Sequence, residues 1–338
     1  MASNDDKARD FPRQPFPSLI PGWIIPRHVA SPLEDAETVL GGRTLRVLLG
    51  NEDIEDPSDG PDEVILLGHG CALLSVLTPF GPHPIDILHA PIVMNLGRAL
   101  AGTTDLCVFS PEPDSEAIVL SSDEAIHLLK DASAAGQAFR RLALLSVSSM
   151  LRLTNTALSR FFDTGLPRVG PPAQASSAPK GARPIEVDHR RMQDIFDAAG
   201  LDPKGLPDLG ISALQIPGGS ALLTAGTPGE EAYLLSDGQL RVEMSIPGVG
   251  REALAFLNAG EFVGEMALIE DAPRSADVFA HGGSAVVFAI SRKVFRHLLE
   301  SGLPAGAPLL AGITMSLARR LDEALRRAAA FRVLSGPF

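Results

Sequence analysis

Aromatic side chains are scarce in this chain. They make up 5% of its 338 residues, with one Trp and one Tyr, so the 45% apolar fraction that supports its cores is mostly aliphatic. A basic surplus is also missing. The formal net charge of −12 argues against a nucleic-acid binder, because neutralising phosphates requires a basic surface. There are only two cysteines, Cys71 and Cys107, both in apolar surroundings, which reads as buried thiols in a reducing compartment. No apolar run approaches the length of a membrane span. The N-terminus carries acidic residues and prolines where a secretory leader needs a basic start and an apolar core, so the expected location is the cytoplasm. Signatures of catalysis and metal binding are missing as well. His83 and His89 are too far apart for an H-x-H metal pair, and there is no H-E-x-x-H, P-loop or G-x-S-x-G. No catalytic constellation is found, and the chain is not expected to be an enzyme or to hold a metal.

The length suits two domains of ordinary size. Residues 1–30, rich in Pro and polar residues, read as a flexible arm that contains Trp23. Residues 165–183, GLPRVGPPAQASSAPKGAR, read as a linker. The expected domains are therefore 31–164 and 184–332. An acidic loop at 51–63 lacks calcium-loop spacing and reads as solvated. In each domain, short β-leaning runs broken by Gly and Pro lead into helical spacing. In the first domain the helices are 122–130 and 137–162; in the second they are 294–300 and 308–331, after an opening helix at 188–199. The last helix carries Leu310, Ile313, Leu317, Leu321 and Leu325 on one face.

The halves align with each other at a shift of about 168–170 residues. Leu66-Leu67-Gly68-His69-Gly70 matches Leu234-Leu235-Ser236-Asp237-Gly238, and Leu120-Ser121 matches Ile290-Ser291. The stretch at 260–278, GEFVGEMALIEDAPRSADV, organises the second half. Gly264 and Glu265 stand where a short helix could begin, and Arg274 follows a proline after an acidic loop. A helix start and an arginine both suit a phosphate, whereas a carboxylate suits a hydroxyl such as a sugar's.

The stretch Val263-Gly264-Glu265-Met266-Ala267-Leu268, followed by Pro273-Arg274-Ser275-Ala276, resembles the phosphate-binding cassette of the cyclic nucleotide-binding domain family. Val263 stands in place of the usual phenylalanine, and Asp277 where threonine is common. The resemblance implies an α+β, mainly β architecture: two tandem β-rolls (double-stranded β-helices, jelly-roll-like), each followed by helices. It also implies a cyclic mononucleotide ligand held by Val263, Gly264, Glu265, Met266, Ala267, Arg274, Ser275 and Ala276. Glu265 would take the ribose 2′-hydroxyl and Arg274 the cyclic phosphate. The ligand would be cAMP or cGMP, and Ser275, as in bacterial activators, resembles the cAMP pattern. In the first half, Leu96 falls opposite Glu265 and Asp105 opposite Arg274, so that copy reads as degenerate.

The expected function is a regulatory protein that signals to a protein partner by rearranging its helices, with a homodimer through the C-terminal helix as a possible assembly and no membrane or nucleic-acid partner. Two alternatives stay open at this point: a transcription regulator of the catabolite-activator type, and a ligand-free scaffold.

Overall fold

The computed structural model describes residues 35–36, 38–39, 46–48, 63–101, 106–161, 179, 181–198, 211–246, 250–300 and 306–335. The arm with Trp23, almost all of the acidic loop, Asp105 and most of the expected linker lie outside these residues.

The first half has strands β1 (Arg46–Leu48), β2 (Glu63–His69), β3 (Cys71–Thr78), β4 (Gly81–His89), β5 (Ile92–Met94), β6 (Cys107–Pro111) and β7 (Ser115–Ser121). They form two antiparallel sheets, ordered β1-β7-β2-β5 and β4-β3-β6. A short helix α1 (Leu96–Ala101) follows β5, and α2 (Ser122–Lys130) and α3 (Ala134–Phe161) follow β7. Helix α2 starts where it does because Ser121 and Glu124 form a reciprocal capping box that satisfies two otherwise unpaired amides.

The second half adds β8 (Arg183–Ile185), α4 (His189–Ala198), β9 (Ser212–Ile216), β10 (Ala221–Leu223), β11 (Glu231–Ile246), β12 (Gly250–Leu257) and β13 (Phe262–Val263). It then continues with α5 (Glu265–Ile269), β14 (Asp277–Ser291), α6 (Arg292–Glu300) and α7 (Gly306–Ser335). Its main sheet runs β12-β11-β14-β9-β8, with β10 on β14 and β13 on β11. Arg183, read as the end of the linker, is instead the first residue of edge strand β8, paired with Gln215.

Two features correct the sequence reading. The strands of the second half are not all short, since β11 has 16 residues and β14 has 15. Asp237-Gly238 reads as a turn, yet the chain bulges there and carries on, with register shifts on either side of Asp237. Gly238 has φ +82, and a Cβ on it would lie 2.6 Å from the carbonyl oxygen of Ser284. Gly70, its match in the first half, has φ +94, and its Cβ would meet the Oγ of Ser115 at 2.3 Å. The two glycines make the same close crossing in both halves, which supports the duplication on geometry alone.

The second correction concerns Arg140-Arg141, which the sequence places inside the helix expected at 137–162, where arginines are normally solvated. Arg140 is buried and donates to the carbonyl of Leu129 at 3.1 Å and to that of Asp131, tying off the end of α2. Arg141 pairs with Asp35 and donates to the carbonyl of Leu299 in the second half at 3.3 Å.

Alternation along β11 sorts its side chains between two cores. Tyr233 and Leu235 face the interior of the second roll, with Ile216, Leu240 and Val287. Leu234 faces the opposite way, into a larger core shared by both halves that includes Leu66, Phe139, Met150, Phe288, Phe295 and Leu317. Helices α3 and α7 pack against each other along this shared core, so the apolar stripe of α7 is covered within the chain. Leu310, Ile313, Leu317, Leu321 and Leu325 are all buried, each worth about 1.5–3 kcal/mol of transfer free energy.

Candidate functional site

The site is built from β13, α5 and the loop leading into β14. Val263, paired with Tyr233 in β11, fixes the approach to the helix. Gly264 then takes φ +81 and turns the chain into α5. Only glycine fits there: a Cβ would lie 2.5 Å from Nη1 of Arg274. Asp271 at φ +48 reverses the loop after α5. The backbone of Arg274 is locked on both sides, its amide donating to Thr227 at 2.9 Å and its carbonyl accepting from Gly226 at 2.8 Å. Asp277 caps the amide of Ala225 at 2.8 Å, which gives this departure from the usual threonine a structural role.

Arg274 is 5% exposed. Its Nη1 donates to the carbonyl of Gly264 at 2.7 Å and its Nη2 to that of Glu231 at 2.6 Å. Burial holds its guanidinium below the ordinary arginine value, partly offset by Tyr233, Glu265 and Glu231. Glu265 has no exposed surface. Its Oε1 accepts from Nη2 of Arg320 at 2.9 Å, on α7, while its Oε2 is buried without a partner among the described residues. Ser275 turns its hydroxyl toward the sulfur of Met266 at 3.8 Å.

All eight residues expected from the sequence, Val263, Gly264, Glu265, Met266, Ala267, Arg274, Ser275 and Ala276, line one pocket. Sequence reasoning missed the rest of its wall. Leu151 and Asn155 come from α3 of the first half, and Arg320, Glu323 and Arg327 from α7. No local motif flags them, because each reaches the pocket only through helix packing.

Among its described residues, the first half repeats the scaffold without the carboxylate of Glu265. Leu96 opens α1 as Glu265 opens α5. Asn95, matching Gly264, has φ +63 and carries a side chain where the second half tolerates none; its Oδ1 is buried without a partner among the described residues. Asp105, the expected match of Arg274, lies outside the described residues. Among the described residues no cluster of His, Cys, Asp and Glu is arranged to hold a metal ion, and no helix is long and apolar enough to cross a membrane.

Residues 213–301 match the family model of the cyclic nucleotide-binding domain, and the matched span contains the whole of this cassette. This part of the chain is a cyclic nucleotide-binding domain. Among relatives, the cyclic AMP receptor protein of Thermus thermophilus is 34% identical over 128 residues, covering 37% of this chain and 56% of that protein. A cAMP-dependent protein kinase regulatory subunit of Colletotrichum orbiculare is 33% identical over 81 residues, 24% of this chain and 20% of that protein. The chain thus spans about half of the first relative's length and a fifth of the second's. Among solved structures, a cyclic nucleotide-binding domain from Methylobacillus flagellatus aligns with 46% of this chain and 90% of its own, at 22% identity and a TM-score of 0.39.

Proposed function

We propose that the cyclic nucleotide-binding domain of this chain binds one cyclic mononucleotide, cAMP in preference to cGMP, and that the protein is a cytoplasmic, non-enzymatic regulator acting on a protein partner. One observation carries this reading: a fully buried carboxylate with a free oxygen, Glu265, and a buried guanidinium, Arg274, line the same pocket. The carboxylate can only accept, so its free Oε2 suits a ribose hydroxyl. The guanidinium donates through a planar fork, which suits the two exocyclic oxygens of a cyclic phosphate. Arg274 gives two of its five N–H donors to the carbonyls of Gly264 and Glu231, which leaves three for a phosphate.

The ligand also meets α7, because Oε1 of Glu265 is held by Arg320. A sugar hydroxyl on the same carboxylate competes with that bond or tightens it, and in either case biases the position of α7. The helical shift is the output, and its extent is set by how differently the ligand binds the two arrangements. The first half, with Leu96 and Asn95 in the matching places, binds no nucleotide, so the stoichiometry is one ligand per chain.

Calorimetric titration of the full chain with cAMP, cGMP and a cyclic dinucleotide tests this reading. Saturable binding of one mononucleotide per chain is expected. Two equal sites per chain, or binding of the dinucleotide alone, would overturn it.

A further inference from the structure

Helix α3 belongs to the half without ligand chemistry, yet it presents a row of polar groups to the other half. Arg141, Ser148, Arg152 and Asn155 fall at spacings of seven, four and three residues and so share one helix face. All four reach the second half or its pocket. Arg141 reaches the carbonyl of Leu299 at the end of α6. Ser148 and Arg152 both bind the carboxylate of Glu270. Arg152 also donates through Nη1 to the carbonyl of Pro273 at 3.2 Å, and Asn155 lines the pocket.

The loop from Glu270 to Pro273 is the segment that joins α5, which carries Glu265, to Arg274. Arg152 therefore holds both ends of this loop with one rigid guanidinium. A second arginine secures the middle: Arg292 of α6 binds Asp271 and the carbonyl of Gly229. Glu270 is 8% exposed, and a carboxylate buried to that degree stays in place only while its partners do. The carbonyl of Pro273 adjoins the amide of Arg274, so a displacement of one is a displacement of the other.

We infer that Arg152, supplied by the ligand-free half, is a positioning residue for the nucleotide site: by holding the loop Glu270–Pro273 at both ends it sets where the guanidinium of Arg274 stands. This rests on the cyclic-mononucleotide reading above. It gives the first half a function that survives the loss of its own ligand groups, namely to supply the wall against which the cassette of the second half is set. The affinity of the second half is then partly a property of the first.

Amide hydrogen exchange on the full chain without ligand, together with titrations of cAMP and cGMP, tests the inference. In Arg152→Ala the amides of Glu270, Ala272 and Arg274 should exchange roughly tenfold faster, and nucleotide affinity should fall by a similar factor. The paired exchange Arg152→Glu with Glu270→Arg should recover part of both losses, which a general loss of stability would not allow. Arg152→Lys, which keeps a charge beside Glu270 but has no planar fork to bridge two acceptors, should fold even where Arg152→Ala does not, and should show intermediate exchange and affinity. Unchanged exchange at the three amides overturns the inference. So does faster exchange with unchanged affinity, because the loop would then be held without positioning the site. A wild-type protein that binds neither nucleotide refutes the ligand reading, and the exchange comparison still decides whether Arg152 holds the loop.

Discussion

A carboxylate with no exposed surface keeps its charge only if partners replace the water it has lost. Glu265 has one such partner in Arg320, and its other oxygen is left over. On the proposed reading, Glu265→Ala should weaken binding and erase most of the preference for a ribonucleotide over its 2′-deoxy analogue, as read by competitive titration. Arg274→Ala removes a charge-assisted contact worth about 1.5–3 kcal/mol, so affinity should fall by roughly one to two decades. Equal affinities for wild type and both variants would refute the assignment of the site. His83 offers a test on stability. Burial, and then the charge of Arg332, hold its imidazole below the ordinary value of 6.5. The folded protein therefore resists a proton that the unfolded chain accepts. The contribution is intact above about pH 6.5 and is lost as the pH falls below it. The melting temperature should drop more between pH 7.5 and 5.5 in wild type than in His83→Gln, and parallel curves would show that His83 does not contribute.

At the scale of elements, the pairing of α3 with α7 decides the geometry of the pocket, since both contribute to its wall. Cysteines introduced along their shared face, in a background lacking Cys71 and Cys107, should cross-link within one chain, and nucleotide should change the yield. Cross-links that form only between chains would contradict this packing. The stripe of α7 was legible because period and burial coincide from Leu310 to Leu325. The cassette was legible because its groups lie between Val263 and Ala276 and their spacing is fixed by one turn and one short helix. The polar row on α3 was not. Arg152 meets Glu270 from 118 residues away and Arg141 meets Leu299 from 158, and no local spacing encodes a partner at that distance. The same limit applies to Arg140-Arg141, which helix position alone places in solvent but which α2 and the second half cover. Asp237-Gly238 failed for another reason, because the same dipeptide serves a hairpin turn or a bulge, and only the partner strand decides which.

For the molecule as a whole, the shared core matters more than any boundary along the chain. Phe139 and Met150 of the first half pack in one cluster with Phe288, Phe295 and Leu317 of the second. Neither half can unfold without exposing apolar surface on the other, so calorimetry should show a single cooperative heat-absorption peak. Two separated peaks would mean that the halves melt independently and that the shared core contributes little. The grip of α3 on the loop beside Arg274 has a consequence in equilibrium linkage. Any macromolecule that binds the first half and shifts α3 must alter nucleotide affinity by the same factor by which nucleotide alters its own binding, with neither ligand touching the other. On the proposed reading, the half without a nucleotide site is thereby placed to sense the state of the other half and to change it.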